Sequence, residues 1–397
     1  MAPSRRSLPT FAARARGTTC LLGAPGNARN FSKDRRRERR KHASSTANEQ
    51  KGPHPRNSFK GSYDMEKLCK AYPPLKSFII SPDSAKVKSK SSNNAPSRPT
   101  IKFADPNAVR ALNTALLVAD YNIAPDYDDI LPIDALIPPV PGRADYVHYV
   151  ADILGAENGR IPEGPSVRGL DIGTGASVIY PLIATSTYGW SMIASEINPV
   201  SVQSAGRIIE DNKLENLIDL RRQESQQNIF DGIWEPNEEI DFIMCNPPFF
   251  PSLETFQAEN ARKIKGLARG GMNKKTQSRN GSKEEVETKK SEAQASSSSN
   301  NFGGTDSELW CEGGEVSFVR RMIDESKTKR YRYNFLWCTS LVSRQSNVDQ
   351  IEKYLRKNAQ PKDIRRISFG AGKKSASILA WTFLDKFERK EWAAKWR

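Results

Sequence analysis

The stretch "LDIGTGAS", residues 170 to 177, closes an apolar run that begins at Val167 and opens another that continues as "VIYPLIATST". Glycines at 173 and 175 permit a sharp turn and let the backbone come close to whatever lies above it. A strand, a glycine turn and a helix in that order form the first unit of an open α/β sheet. The free N–H groups of the helix start face the space above that turn.

The alternation continues on the C-terminal side. "WSMIASEI" (190 to 197), "IDLRRQE" (218 to 224), "IDFIMCN" (240 to 246) and "YNFLWCTSLV" (333 to 342) read as strands. Between and after them, 199 to 214, 314 to 328 and 346 to 359 have helical spacing. "IRRISFG" and "SASILAWTFL" read as a closing antiparallel pair. On the N-terminal side, 105 to 121 is a helix with Asp105 as N-cap and Pro106 at its first position, and 144 to 154 is another. Strands alternating with helices imply a mostly parallel sheet covered on both faces.

The glycine turn has an acid before it. In D-x-G-x-G, Asp171 would repel a pyrophosphate, and Val178 stands where a dinucleotide fingerprint has its third glycine. A carboxylate there suits a cationic amino-acid group, such as that of S-adenosylmethionine. Glu196 ends the next strand, where an acid can accept hydrogen bonds from both ribose hydroxyls.

"CNPPFF" (245 to 250) ends the 240-to-246 strand, on the same carboxyl edge. An exocyclic amine on adenine is a poor nucleophile, because its lone pair is delocalised into the ring. Two acceptors holding its hydrogens would improve it. The Asn246 side-chain oxygen and the Pro247 carbonyl can be those acceptors, and the Pro247 ring pre-aims its own backbone. Phe249 can stack on the base, typically worth about 1–3 kcal/mol. Catalysis of this kind is positioning and electrostatics, without a dedicated base.

The 397 residues carry a formal charge of +15, of which residues 1 to 60 account for +12. Residues 1 to 60 are polar and basic and read as an unfolded arm. A short linker follows at 84 to 99, inside an N-terminal helical extension spanning 61 to 142. The low-complexity stretch 257 to 306 reads as a flexible insert in the main domain, and 387 to 397 as a basic tail without assigned function. "KDRRRERRKH" (33 to 42) reads as a nuclear signal or RNA-binding arm, so a nuclear location is expected ahead of a mitochondrial or cytoplasmic one. Five scattered cysteines with no CxxC pair, and three histidines, argue against a metal site. No apolar run is long enough to span a membrane.

"FADPNAVRALNTALL", "IPPVPGRADYVHYV", "LDIGTGASVIYPL", "CNPPFF", "EGGEVSFVRRMIDES" and "ILAWTF" together resemble the adenine-N6 RNA methyltransferases, within the class I S-adenosylmethionine-dependent methyltransferases. That family includes enzymes acting on U6 small nuclear RNA and on 23S ribosomal RNA. The resemblance covers about 65 to 385, apart from the insert. It implies a Rossmann-like domain over 143 to 386, with a mostly parallel seven-stranded sheet and an antiparallel closing strand. It implies S-adenosylmethionine as cofactor, held by Arg143, Asp171, Gly173, Gly175, Ser177, Glu196, Gln227 and Asn246. Arg143 would pair with the cofactor carboxylate, and Gln227 would lie near its adenine. Asn246, Pro247, Pro248 and Phe249 match the catalytic turn, with Phe249 and Phe250 against the substrate base.

The expected product is N6-methyladenosine in structured RNA, with U6 small nuclear RNA the favoured acceptor on resemblance alone. The target adenine must be unpaired or flipped out. Arg262, Lys263 and Lys265 in the insert and residues 35 to 41 are candidate phosphate contacts, as is the cation–aromatic run "KTKRYRYNFLW" (327 to 337). The expected form is a monomer, with no metal and no membrane partner. Two other readings stay open: a protein-glutamine N5 methyltransferase, and an RNA-binding adaptor with an inactive centre.

Overall fold

The computed structural model describes residues 50–81, 98–133, 135, 139–255, 257, 310–371 and 374–396. All belong to one compact unit that spans 47–397. The central sheet contains β1 (Gln50–Lys51), β4 (Arg168–Ile172), β5 (Ser191–Glu196), β6 (Ile218–Arg222), β7 (Ile240–Cys245), β8 (Phe335–Val342), β9 (Asp363–Ala371) and β10 (Lys374–Thr382). Their spatial order is β1-β9-β10-β8-β7-β4-β5-β6. Only β10 runs against its neighbours, so the mostly parallel seven-stranded sheet with an antiparallel closing strand is present. The eighth strand, β1, is two residues long and pairs in parallel with the edge of β9. β2 (Ile79–Ile80) and β3 (Thr100–Ile101) form a separate antiparallel pair.

Strand order reverses between β4 and β7. β5 and β6 lie to one side and β8 to the other, which opens a crevice above the carboxyl ends. The central strands are buried on both faces and read as nearly continuous apolar runs. Along β7, Phe242 and Met244 enter one core while Ile243 and Cys245 enter the other. The first core is covered by α1 (Met65–Ala71), α2 (Pro106–Tyr121), α3 (Tyr127–Ile130), α4 (Val140–Asn158), α5 (Ile179–Tyr188) and α6 (Pro199–Asp211). The second is covered by α7 (Gly314–Ser326) and α8 (Gln345–Tyr354).

Asp105 caps α2 as its sequence signals, accepting from the Asn107 N–H, with Pro106 in the first turn. The extension at 61 to 142 packs into the main unit through this helix.

Residues 50 to 60 depart from expectation. The composition places them in the unfolded arm, yet His54 and Asn57 are buried. The His54 N–H and the Asn57 amide both donate to Asp145 of α4, at 2.8 and 2.6 Å, and Asn57 also reaches the Pro141 carbonyl at 2.8 Å. Hydrogen bonds to a buried acid, rather than apolar area, anchor this segment, so its composition conceals it. Residues 1 to 49, most of the 84-to-99 linker and nearly all of the 257-to-306 insert lie outside the described residues.

The C-terminal stretch is likewise integrated. Helix α9 (Lys386–Ala393) starts with a capping box formed by Asp385 and Glu388. The indoles of Trp392 and Trp396 donate to one oxygen of buried Asp241, at 2.7 and 2.9 Å. The other oxygen accepts the Arg168 N–H at 2.6 Å.

Candidate active site

β4 and β7 are adjacent and in register, with Ile172 opposite Cys245. The next residues, Gly173 and Asn246, therefore leave neighbouring strands at the same level, one strand spacing apart (about 4.8 Å). On the other side Ile172 is opposite Ser195, so Glu196 leaves β5 one residue further on. Sheet register alone brings the three strand ends together.

Gly173 and Gly175 adopt φ of +70° and +66°, a region costly for side-chain-bearing residues. A Cβ built on Gly173 would meet nothing within 4 Å, so the turn presents bare backbone to open space. Its N–H groups are directed by β5: Thr174 donates to the Ser195 carbonyl at 2.9 Å, and Gly175 to Glu196 Oε2 at 2.8 Å. Glu196 Oε1 accepts the N–H groups of Ile197 and Asn198, both at 2.9 Å.

A cavity of about 990 Å³, counting its open mouth, lies above these ends. Of the expected residues, Arg143, Gly173, Gly175, Ser177, Glu196, Asn246, Pro247 and Pro248 line it. Arg143, in the first turn of α4, donates from Nη1 to the Tyr180 hydroxyl at 2.7 Å and lies over that ring. Its Nε is buried without a partner, as is Asn246 Oδ1.

Three expectations are corrected. Asp171 does not line the cavity; its side chain is fully buried behind the glycine turn and both oxygens lack partners. Burial pushes its carboxyl up to about 7; the nearby Thr174 hydroxyl opposes the rise although it falls short of a well-formed hydrogen bond, the charge of Glu196 adds to it and that of Arg143 opposes it. Gln227 is exposed outside the cavity, while Gln223, Gln226 and Asn228 of the same loop line it. Phe249 and Phe250 are partly buried beyond the lining, and Phe250 bridges to Trp310 where the chain returns.

Arg262, Lys263, Lys265 and residues 35 to 41 lie outside the described residues. The run 327 to 337 leads into the amino end of β8, on the edge of the sheet opposite the cavity. Within it Arg330 pairs with Asp231 at 2.7 Å, and Tyr331 is buried against Phe335. Both are committed to the fold, so this run does not reach the cavity.

Sequence reasoning missed Tyr180, Gln223 and Phe318. Tyr180 lies inside the quoted "SVIYPL" motif, so its signal was available. Phe318 arrives from α7, about 70 residues beyond the catalytic turn, and no local pattern marks it. Among the described residues, no cluster of three or more His, Cys, Asp or Glu could hold a metal, and no helix is long and apolar enough to cross a membrane.

The cavity has bare backbone at the Gly173 turn, a cation at Arg143, an acid at Glu196 and an orphaned acceptor at Asn246. That donor set fits a nucleoside carrying an amino-acid group, which is the chemistry of S-adenosylmethionine.

Comparison with known proteins agrees. A family model described as RNA methyltransferase matches residues 47–385. The ribosomal RNA large subunit methyltransferase F of Vibrio campbellii is 40% identical over 343 residues, covering 86% of this chain and 82% of that protein. The protein of that name from Pseudomonas putida KT2440 is also 40% identical over 343 residues, covering 86% and 96%. Among solved structures, the catalytic domain of hMettl16 bound to MAT2A 3'UTR hairpin 6 superposes with a TM-score of 0.59 at 30% identity, covering 84% and 98%. The N-terminal domain of human METTL16 in complex with SAH gives 0.58 at 27% identity, covering 84% and 100%. The nuclear location expected from the basic arm is overturned, since the curated relatives are proteins of bacteria, which have no nucleus.

Proposed function

The chain belongs to the RNA methyltransferase family and is S-adenosylmethionine-dependent, and from that premise we propose that it methylates N6 of an adenine in structured RNA. The acceptor we favour is large-subunit ribosomal RNA, the substrate named for relatives 40% identical over most of both chains. U6 small nuclear RNA loses its place as favoured acceptor, because it rested on resemblance alone and those relatives point to ribosomal RNA.

The observation that carries the reading is the orphaned Oδ1 of Asn246 in the wall of the Gly173 cavity. A buried acceptor without a partner costs about 1–3 kcal/mol, so it is a place where a donor is wanted. An exocyclic amine supplies one. S-adenosylmethionine, when bound, supplies an electrophilic methyl on a sulfonium.

The chain's own groups hold and orient. Arg143 suits a carboxylate, because its fork can pair with both oxygens. Glu196 is oriented by three backbone N–H groups at the wall of the cavity, where a carboxylate suits a ribose hydroxyl. Asn246 and the Pro247 carbonyl take the two amine hydrogens. No side chain needs to remove a proton before methyl transfer, and the product proton leaves to water.

An unpaired or flipped adenine is required, because N6 in a duplex is engaged in pairing. The test uses ribosomal RNA from a bacterium deleted for its own relative, incubated with this protein and S-adenosylmethionine. A single new N6-methyladenosine in large-subunit RNA supports the reading. A modified base other than adenine, or no modification of RNA by active protein, refutes it.

A further inference from the structure

β7 separates from β8 just before the catalytic turn. The last paired residues across them are Ile243 and Cys338. Beyond that point a relay of hydroxyls replaces the ladder. The Cys245 N–H donates to the Tyr146 hydroxyl at 3.3 Å, and that hydroxyl lies 2.7 Å from Thr339 Oγ1. Thr339 donates its own proton to the Ile243 carbonyl at 2.7 Å, so Tyr146 must be the donor to Thr339. The Tyr146 hydroxyl also lies 3.5 Å from the Cys245 carbonyl.

Tyr146 and Thr339 are fully buried. Burial holds the phenol well above its ordinary range, so the hydroxyl stays neutral and keeps both its donor and its acceptor role. That hydroxyl is the side-chain acceptor of the Cys245 N–H inside an apolar interior, where losing a partner is costly.

Tyr146 lies three residues after Arg143 on α4, so the two share a helix face. Its ring meets Tyr180 edge-on at 5.4 Å, and the Tyr180 hydroxyl receives Arg143. One helix turn thus touches the cofactor side of the cavity through Arg143 and Tyr180, and the root of the catalytic turn through Cys245.

We propose that Tyr146 is a positioning residue for methyl transfer: with its hydroxyl held by Thr339, it accepts the Cys245 N–H directly, fixes that backbone and so aims the Asn246 oxygen at the acceptor amine. This rests on the assignment of Asn246 as the amine-holding group. Tyr146 touches no substrate, and its effect is on the rate of the chemical step rather than on cofactor affinity.

The experiment compares full-length Tyr146→Phe, Thr339→Val and Thr339→Ser with the wild type and with Asn246→Ala. It reads kcat and KM for S-adenosylmethionine, calorimetric affinity for S-adenosylhomocysteine, and thermal midpoint. Tyr146→Phe and Thr339→Val should each lower kcat by about ten- to a hundredfold, the scale of a small misplacement in a positioned site. Affinity for S-adenosylhomocysteine should stay within about twofold, and Thr339→Ser, which keeps the hydroxyl, should retain the rate. If Tyr146→Phe does not fold, the Thr339→Val and Thr339→Ser pair carries the test alone.

An unchanged kcat in Tyr146→Phe and Thr339→Val, with Asn246→Ala inactive, overturns the proposal. So does a kcat loss matched by equal losses of affinity and thermal midpoint, which would mark a packing role. An Asn246→Ala protein with full rate overturns the site assignment itself, and is told apart because it needs no result from Tyr146.

Discussion

Asp171 offers a test in which structure sets both sign and size. Its carboxyl is fully buried, its oxygens have no hydrogen-bond partners, and burial pushes it up to about 7. In the unfolded chain an aspartate titrates near 3.9. Between those values the folded protein holds a proton that the unfolded chain has lost. The stability from this group is therefore fully present below about pH 4 and is lost as pH rises through about 7. At about 1.4 kcal/mol per pH unit, acting over about the two units from pH 5 to pH 7, the loss from pH 5 to pH 8 is roughly 2.6 kcal/mol. Asp171→Asn has the same shape and no titration. Urea unfolding of both proteins at pH 5, 6, 7 and 8 gives the difference directly. Wild-type stability should fall relative to the variant by that amount across the range. A difference that is flat, or that grows in favour of the wild type with pH, would show that the buried carboxyl is already ionised and paired, and would refute the reasoning.

Arg143→Gln should weaken S-adenosylhomocysteine binding about tenfold or more by calorimetry, because it removes the cavity's guanidinium; unchanged affinity would reassign the carboxylate partner. Gly314→Ala should cost about 1–3 kcal/mol in thermal unfolding and lower kcat, since φ is +63° and an added Cβ would sit 3.1 to 3.3 Å from Pro251 and Phe250 backbone. Trp392→Phe should destabilise by about 1–3 kcal/mol while leaving S-adenosylhomocysteine affinity unchanged, because it strips one donor from buried Asp241 far from the cavity.

The glycine turn and the Asn246 turn were readable because each is a local motif at a strand end, and parallel strands bring their carboxyl ends to one edge whatever fills the core. The sheet followed from alternation of apolar periods for the same reason. Other features depend on distant packing that no short window encodes. Asp171 precedes the first glycine in sequence, yet β4 turns its side chain into the interior rather than toward the cavity. Gln227 is flanked by lining residues because loop curvature selects which neighbours face inward. Segment 50 to 60 is polar enough to read as unfolded, and is held by hydrogen bonds to Asp145 instead. The C-terminal helix reads in sequence only as a basic tail; its anchor is Asp241, some 150 residues earlier, which accepts from its indoles.

The most direct measurement supplies S-adenosylmethionine with a deuterated methyl group and identifies, by mass spectrometry of digested nucleosides, where the label goes. The account predicts label in N6-methyladenosine from RNA, abolished in Asn246→Ala. Label in another nucleoside, in protein glutamine, or persisting at full level in Asn246→Ala would contradict it.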